Sequence, residues 1–105
     1  MTDKTFLECI RQKLAQLGEV TARPMMGDYC LYLNGVLIGN ICDNRLFLKK
    51  FVSNRAFLEN CPQESPYPGA KPMYMPSVQD DEYLKSAVYF TFLGASVQKG
   101  AIKRR

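Results

Sequence analysis

The sequence predicts a two-layer α+β domain in which helices at the two ends of the chain cover an antiparallel meander sheet. Three observations predict it. An amphipathic helical pattern comes first, alternating segments joined by an Asn-Gly turn follow, and a second, longer helical pattern comes last. The predicted order is a helix, a meander, a short helix, a short strand and a long helix, α-β(3)-α-β-α.

The first helix is predicted from a cap at Thr2 or Asp3 to a stop at Gly18. Apolar residues recur along it at helical spacing, which predicts one buried face. They are Phe6, Ile10, Leu14 and Leu17.

The meander follows as extended segments over residues 20–26, 29–33, 36–41 and 45–49. Turns are predicted at Gly27-Asp28, at Asn34-Gly35 and at residues 43–44. Asn-Gly between alternating segments is the strongest short hairpin signal, because both central residues of a type I′ turn need positive φ.

A short helix over residues 54–59, capped by Ser53, is predicted to turn Phe57 and Leu58 inward. Four prolines between residues 62 and 72 then predict an irregular connection, followed by a short extended segment at residues 73–75.

The last helix is predicted to begin near Asp80 or Asp81 and to end at Gly100. Its apolar residues form two neighbouring stripes rather than one. So broad a face favours burial by a partner as well as by the sheet, and it favours a homodimer.

Composition indicates one globular domain, because 47% of the 105 residues are apolar and 23% are charged. No apolar run approaches the roughly 20 residues of a membrane span. The first residues also lack the continuous apolar stretch of a secretory signal. We therefore expect a cytoplasmic protein with no membrane contact.

The net charge of +4 comes from the end of the chain. Residues 1–98 hold ten cations and ten anions, so we expect a neutral domain over 1–98 and a basic tail over 99–105. A neutral body lacks the broad patch of a dedicated DNA-binding domain, so nucleic-acid binding would be weak and confined to the tail. The tail cations are Lys99, Lys103, Arg104 and Arg105.

Residues that would carry catalysis or hold a metal are scarce. The chain has no histidine, and its four cysteines, at positions 9, 30, 42 and 61, form no CxxC pair. Its glycines match no phosphate-binding loop. We therefore predict no enzyme, no metal site and no cofactor.

Two sets of residues are candidates for binding. Arg23, Lys49 and Lys71 could converge on a small anion, but a structural anchor for turn carbonyls or plain solvated charge is the favoured interpretation. Methionines and tyrosines are candidates for contacts with a protein partner, although core filling explains them about as well. This second set is Met25, Met26, Met73, Tyr74 and Tyr89.

Four short motifs in order resemble the TfoX N-terminal domain family, which includes the TfoX/Sxy competence regulators. They are RPMMG at 23–27, LYLNG at 31–35, LFLK at 46–49 and KPMY at 71–74. The chain departs from the family pattern at Met26, where phenylalanine is usual, and at Asp28 and Cys30, where glycine is usual.

The resemblance implies a secretion-chaperone-like fold whose members often dimerise through the sheet or a helix, with no catalytic residues to transfer. The full regulators also carry a second domain and help other proteins to activate transcription of DNA-uptake genes. We therefore expect a non-enzymatic protein-interaction domain in bacterial transcription regulation. The alternatives are a nucleic-acid accessory protein that uses the tail, and a sensor of small anions around Arg23, Lys49 and Lys71.

Overall fold

The computed structural model describes the backbone of residues 2–103 and the side chains of residues 2–97. Over the backbone described, no helix combines the length and the apolar character needed to cross a membrane. The elements are α1 (Lys4–Leu14), β1 (Val20–Met25), β2 (Asp28–Leu33), β3 (Val36–Cys42), β4 (Arg45–Leu48), α2 (Val52–Leu58), β5 (Gln63–Glu64), β6 (Met73–Tyr74) and α3 (Asp81–Lys103).

The strands form one antiparallel sheet in the order β1-β2-β3-β4-β6-β5. The α+β prediction is therefore confirmed, with α1 and α3 at the two ends of the chain. The four extended segments predicted for the meander correspond to β1–β4, so the order α-β(3)-α-β-α counts one meander strand too few. β5 was not predicted, because two exposed polar residues carry no alternating pattern.

The helix ends differ in part from the prediction. α1 continues through a 3₁₀ turn at Ala15–Leu17 to Gly18, as predicted. α3 begins at Asp81, and the Asp80 side chain accepts hydrogen bonds from the backbone N–H of Glu82 and Tyr83. The predicted end at Gly100 is wrong, since the helix runs to Lys103. A single glycine costs a helix only about 1 kcal/mol.

Paired positive φ angles form the hairpin turns. Asn34 and Gly35 have φ of 51° and 79°, which confirms the predicted turn between β2 and β3. The turn between β1 and β2 lies at Met26-Gly27, with φ of 51° and 89°, one residue before the predicted position.

The core lies between the helices and one face of the sheet, called here the inner face. Strand residues Leu31, Leu33, Leu46 and Leu48 are less than 2% exposed there. From the helices, the described apolar residues with no exposure are Ile10, Leu14, Leu58, Leu84, Ala87 and Val88. Gly39 allows β3 and β4 to approach closely, because a Cβ on it would lie 1.9 Å from the carbonyl oxygen of Phe47.

A buried asparagine joins β4 to the two later helices. The Asn54 side chain accepts a hydrogen bond from Phe51 N at 2.9 Å. Its amide nitrogen donates to Lys49 O and to Thr91 Oγ1, both at 2.8 Å. Asn54 therefore closes the start of α2 and ties it to α3.

The residues on either side of Asn54 differ from the prediction. Ser53 does not cap α2, because its hydroxyl donates to Phe90 O. Leu58 points inward as predicted, whereas Phe57 is 39% exposed. The Phe57 ring lies 5.2 Å from that of Tyr83, between centroids, at the contact of α2 with α3.

Candidate functional site

The strands place alternate side chains on the face of the sheet opposite the helices, called here the outer face. Across the strands, Arg23 pairs with Cys30 and Cys30 pairs with Asn40. Tyr32 pairs with Leu37 one step further along. Since their neighbours Leu31 and Leu33 enter the core, these residues must face outward.

A cavity of about 490 Å³ lies on the outer face. Its floor comes from β1, β2, β3 and β6, and one wall is the proline-rich segment of residues 66–72. This outer cavity is lined by Met25, Cys30, Leu37, Asn40, Lys49, Lys50, Pro66, Tyr67, Ala70, Lys71, Pro72 and Met73. Pro66 is buried, so the wall is packed against the body of the protein.

Three ammonium groups and no carboxylate belong to the side chains that line the outer cavity. Lys49 Nζ lies 5.9 Å from the ring centroid of Phe51. Lys50 Nζ donates to Gln63 Oε1 and lies 5.3 Å from the ring centroid of Tyr74. Within residues 2–97, none of these lysines forms a salt bridge. The side chains that line the cavity therefore carry a net positive charge.

The predicted anion set is only partly brought together. Lys49 and Lys71 line the outer cavity, as expected of residues that share a ligand. Arg23 is on the same face but is not a lining residue, and its guanidinium carbon lies 5.5 Å from the ring centroid of Tyr32. Binding of an anion by any of the three stays a prediction.

Sulfur atoms form part of the cavity floor. Cys30 Sγ lies 3.5 Å from Met25 Sδ, and Asn40 Nδ2 donates to Cys30 Sγ at 3.8 Å. In the part of the chain with described side chains, no group of histidine, cysteine and acidic residues could hold a metal ion. Cys30 is half-buried, so its thiol borders the space of the cavity.

The five predicted partner residues lie in separate places. Met25 and Met73 line the outer cavity, and Met26 is fully exposed in the turn after β1. Tyr74 is buried in the core, so other residues lie between most of its side chain and any partner. Tyr89 is 48% exposed on α3. Contact of any of them with a partner stays a prediction.

An exposed apolar surface, called here the helical patch, accompanies Tyr89. Leu93 and Val97 follow it at helical spacing on α3. On the adjoining α2, the ring of Phe57 contacts that of Phe90, which also lies near the ring of Tyr89. Val97 is the most exposed of these residues, at 72%. The helical periodicity of residues 89, 93 and 97 is visible in the sequence, whereas the contribution of Phe57 is not.

Leu37 and Asn40 are cavity residues that the sequence did not indicate. The Asn34-Gly35 turn could have indicated Leu37, because counting residues back from the turn places it opposite Tyr32. The same counting fails for Asn40, because the register shifts between Leu31 and Tyr32. The tail cations Lys99, Lys103, Arg104 and Arg105 lie outside the described side chains.

Comparisons with known proteins bear on the same part of the chain. The sequence model of the TfoX N-terminal domain matches residues 12–88. An uncharacterized 12.7 kDa protein in the trpE 5' region of Spirochaeta aurantia is 36% identical over 70 residues, or 67% of this chain. The chain spans 61% of that relative's length. The residues matched to the family include the whole sheet and every residue that lines the outer cavity.

Proposed function

This chain belongs to the TfoX N-terminal domain family, and from that premise we propose that it is a non-enzymatic protein-interaction domain. It acts in bacterial transcription regulation, in the cytoplasm, by contacting protein partners. The family match over residues 12–88 is the observation that carries the proposal. The regulatory role comes from the resemblance to the competence regulators.

The helical patch supports this proposal as the surface on which a partner docks. One side of α3 is committed to the core through Leu84, Val88 and Ala95. Tyr89, Leu93 and Val97 remain on another side with 48%, 38% and 72% of their surface exposed. Contiguous apolar surface that contains tyrosine is typical of protein interfaces.

The position of α3 also fits a docking helix. Asn54 and Ser53 hold α2 against α3 through hydrogen bonds to Thr91 and Phe90. The two helices therefore present the patch as one fixed surface. A preformed surface binds at a lower entropic cost than one that must be ordered on binding.

Affinity capture of the tagged protein from its own host, with and without nuclease, tests the proposal. Mass spectrometry should identify a stoichiometric protein partner that survives nuclease treatment. Tyr89→Glu and Leu93→Glu should each reduce its recovery at least tenfold, because a charge buried in an apolar interface is strongly unfavourable.

Cys9→Glu is the matched control, because Cys9 is exposed on α1, away from the helical patch. It should capture the partner as the parent protein does, and circular dichroism should show all three variants folded. Capture that disappears with nuclease would contradict the proposal and favour binding of nucleic acid through the basic tail.

A further inference from the structure

We propose that the outer cavity is a binding site for a small organic anion, in which the lysines hold an acidic head and the floor holds an apolar body. The head is a carboxylate or a phosphate. The proposal concerns the outer face of the sheet and does not depend on the partner proposed for the helical patch.

The charge of the cavity indicates an anionic ligand. Lys49, Lys50 and Lys71 all line it, while no acidic side chain does. Elsewhere in the described body, cations such as Lys13, Arg45 and Lys85 form salt bridges. Lys49 and Lys71 bring positive charge to a lining that contains no carboxylate, so an anion in the cavity would be attracted to both.

The floor of the cavity indicates that the ligand is not a bare inorganic anion. Met25, Leu37 and Met73 supply apolar surface, and Tyr67 adds a half-exposed ring on the wall. A hydrated phosphate ion would leave these groups uncovered. A ligand with an apolar body would cover them and gain the free energy of burying apolar surface.

The size and position of the cavity favour a small molecule over a peptide strand. A volume of about 490 Å³ falls within the roughly 300–1,000 Å³ typical of sites for small molecules. Its floor crosses β2 and β3, which are interior strands of the sheet. A peptide that adds a strand needs a free edge, and an interior position offers none.

The backbone that carries Lys49 and Lys50 is fixed before any ligand arrives. Lys49 N donates to Ile38 O at 3.0 Å, and Lys49 O accepts a hydrogen bond from Asn54. The lysine side chains therefore start from a rigid backbone. This preorganisation reduces the entropy that binding would otherwise lose.

Cys30 supplies a reporter inside the cavity, and Cys9 supplies one outside it. Cys30 is a lining residue, whereas Cys9 is exposed on α1 in the helical layer. Both thiols can react with iodoacetamide, a neutral reagent. A ligand in the cavity should slow the alkylation of Cys30 and leave that of Cys9 unchanged.

The experiment uses 2-naphthoate and 2-naphthyl phosphate as probes in isothermal titration calorimetry and thermal shift. The neutral 2-naphthalenemethanol has the same body without the charge, and acetate and inorganic phosphate have the charge without the body. We expect at least one of the two naphthyl anions to bind at least tenfold more tightly than all three comparison compounds, and to raise the melting temperature. The better of the two identifies the preferred head.

Lys49→Gln and Lys71→Gln test the lysines. Each should weaken the better naphthyl anion about tenfold, since a hydrogen bond to a charged group is lost. Lys4→Gln removes the same charge from an exposed site on α1 and should change affinity less than twofold. Mass spectrometry of the alkylated peptides should show protection of Cys30 and not of Cys9.

Four results would overturn the proposal. They are equal binding of the neutral alcohol, equal binding of acetate or inorganic phosphate, affinity that Lys49→Gln and Lys71→Gln leave unchanged, and an unprotected Cys30. Binding of an acidic peptide but of neither naphthyl anion would also overturn it, in favour of a protein occupant. Capture of a protein partner by the helical patch is measured separately. Failure of the proposed anion site would therefore leave the proposed interaction domain intact, and the reverse also holds.

Discussion

The two faces of the sheet are made by the same strands, yet they differ in packing and in charge. On β2, Leu31 and Leu33 point to the inner face and are at most 1% exposed. Between and beside them, Cys30 and Tyr32 point to the outer face and remain half-exposed. The inner face is closed by helices, whereas the outer face is only partly covered by the proline-rich segment.

This difference shows how one alternating pattern serves two purposes. Side chains that enter the core supply most of the hydrophobic free energy, because almost all of their surface leaves water. On β2, the side chains on the outer face are less constrained by packing, whereas Phe47 on β4 is fully buried on that face. The outer face can therefore carry lysines, an asparagine and a thiol without weakening the core.

The largest effect on the free energy of unfolding should come from truncating a side chain on the inner face, and truncating its neighbour on the outer face should have a much smaller effect. Leu31→Ala should lower the free energy of unfolding by about 2–5 kcal/mol, because it leaves a cavity in a closed core. Tyr32→Ala should cost about 1 kcal/mol or less, since the ring is half-exposed. Urea denaturation monitored by circular dichroism measures both. Equal losses would mean that the outer face is as tightly packed as the inner one.

A smaller loss in the free energy of unfolding should follow from removing the side-chain amide of Asn54, which is buried and joins the helices to the sheet. Asn54→Ala removes the hydrogen-bond partner of Lys49 O and of Phe51 N, while Thr91 Oγ1 keeps its bond to Ala87 O. Each unsatisfied buried group costs about 1–3 kcal/mol, so we expect a loss of at least about 2 kcal/mol.

Asn60→Ala is the matched control for Asn54→Ala, because Asn60 is exposed just after α2. It should change the free energy of unfolding by less than about 0.5 kcal/mol. Chemical denaturation of the two variants side by side checks this. A similar small loss for both would show that the junction contributes little to stability.

The smallest effect should appear at alkaline pH and involves the buried thiol of Cys42. Burial is the main cause that raises its pKa above 9.0, and the carboxylates of Asp28 and Asp43 add to it. Since the pKa of this thiol is higher in the folded state, the protonated thiol contributes to the stability of the fold. That contribution is complete below about pH 9 and is lost as pH rises through the raised pKa. Burial raises the pKa values of Cys61 and Tyr83 in the same direction.

The melting temperature should therefore fall as pH rises above about 9, a range set by the ordinary thiol pKa. Cys42→Ala should make that fall shallower, because one of the three groups no longer titrates. Differential scanning calorimetry across pH 7–10.5 would measure both slopes. Identical slopes for the parent protein and Cys42→Ala would contradict the assignment.

Local signals in the sequence were sufficient for most of the fold. The turn at Asn34-Gly35 and the helical stripe of α1 depend on neighbouring residues, and both were predicted. The register shift between Leu31 and Tyr32 depends on contacts between strands, and no local pattern reveals it. Ser53 was a reasonable cap by residue type, but its hydroxyl bonds Phe90 on a helix far along the chain.

The sequence could indicate which lysines are candidates for the site, but it could not indicate which side chains line the outer cavity together. The sequence predicts that the segments carrying Lys49 and Lys71 meet, and both residues line the outer cavity. The same reasoning could not exclude Arg23 from the lining, because side-chain direction relative to a loop is a three-dimensional property. The sequence predicts Met25 and Met73 as partner residues and gives no indication that they share this cavity with the lysines.

Asn54 also links the outer cavity to the helical patch. One amide nitrogen donates both to the carbonyl of Lys49, at the outer cavity, and to the hydroxyl of Thr91, on α3. A ligand that displaced Lys49 would disturb the same group that positions α3. The affinities of the outer cavity and of the helical patch would then be coupled, and each occupant would change the affinity of the other by the same factor.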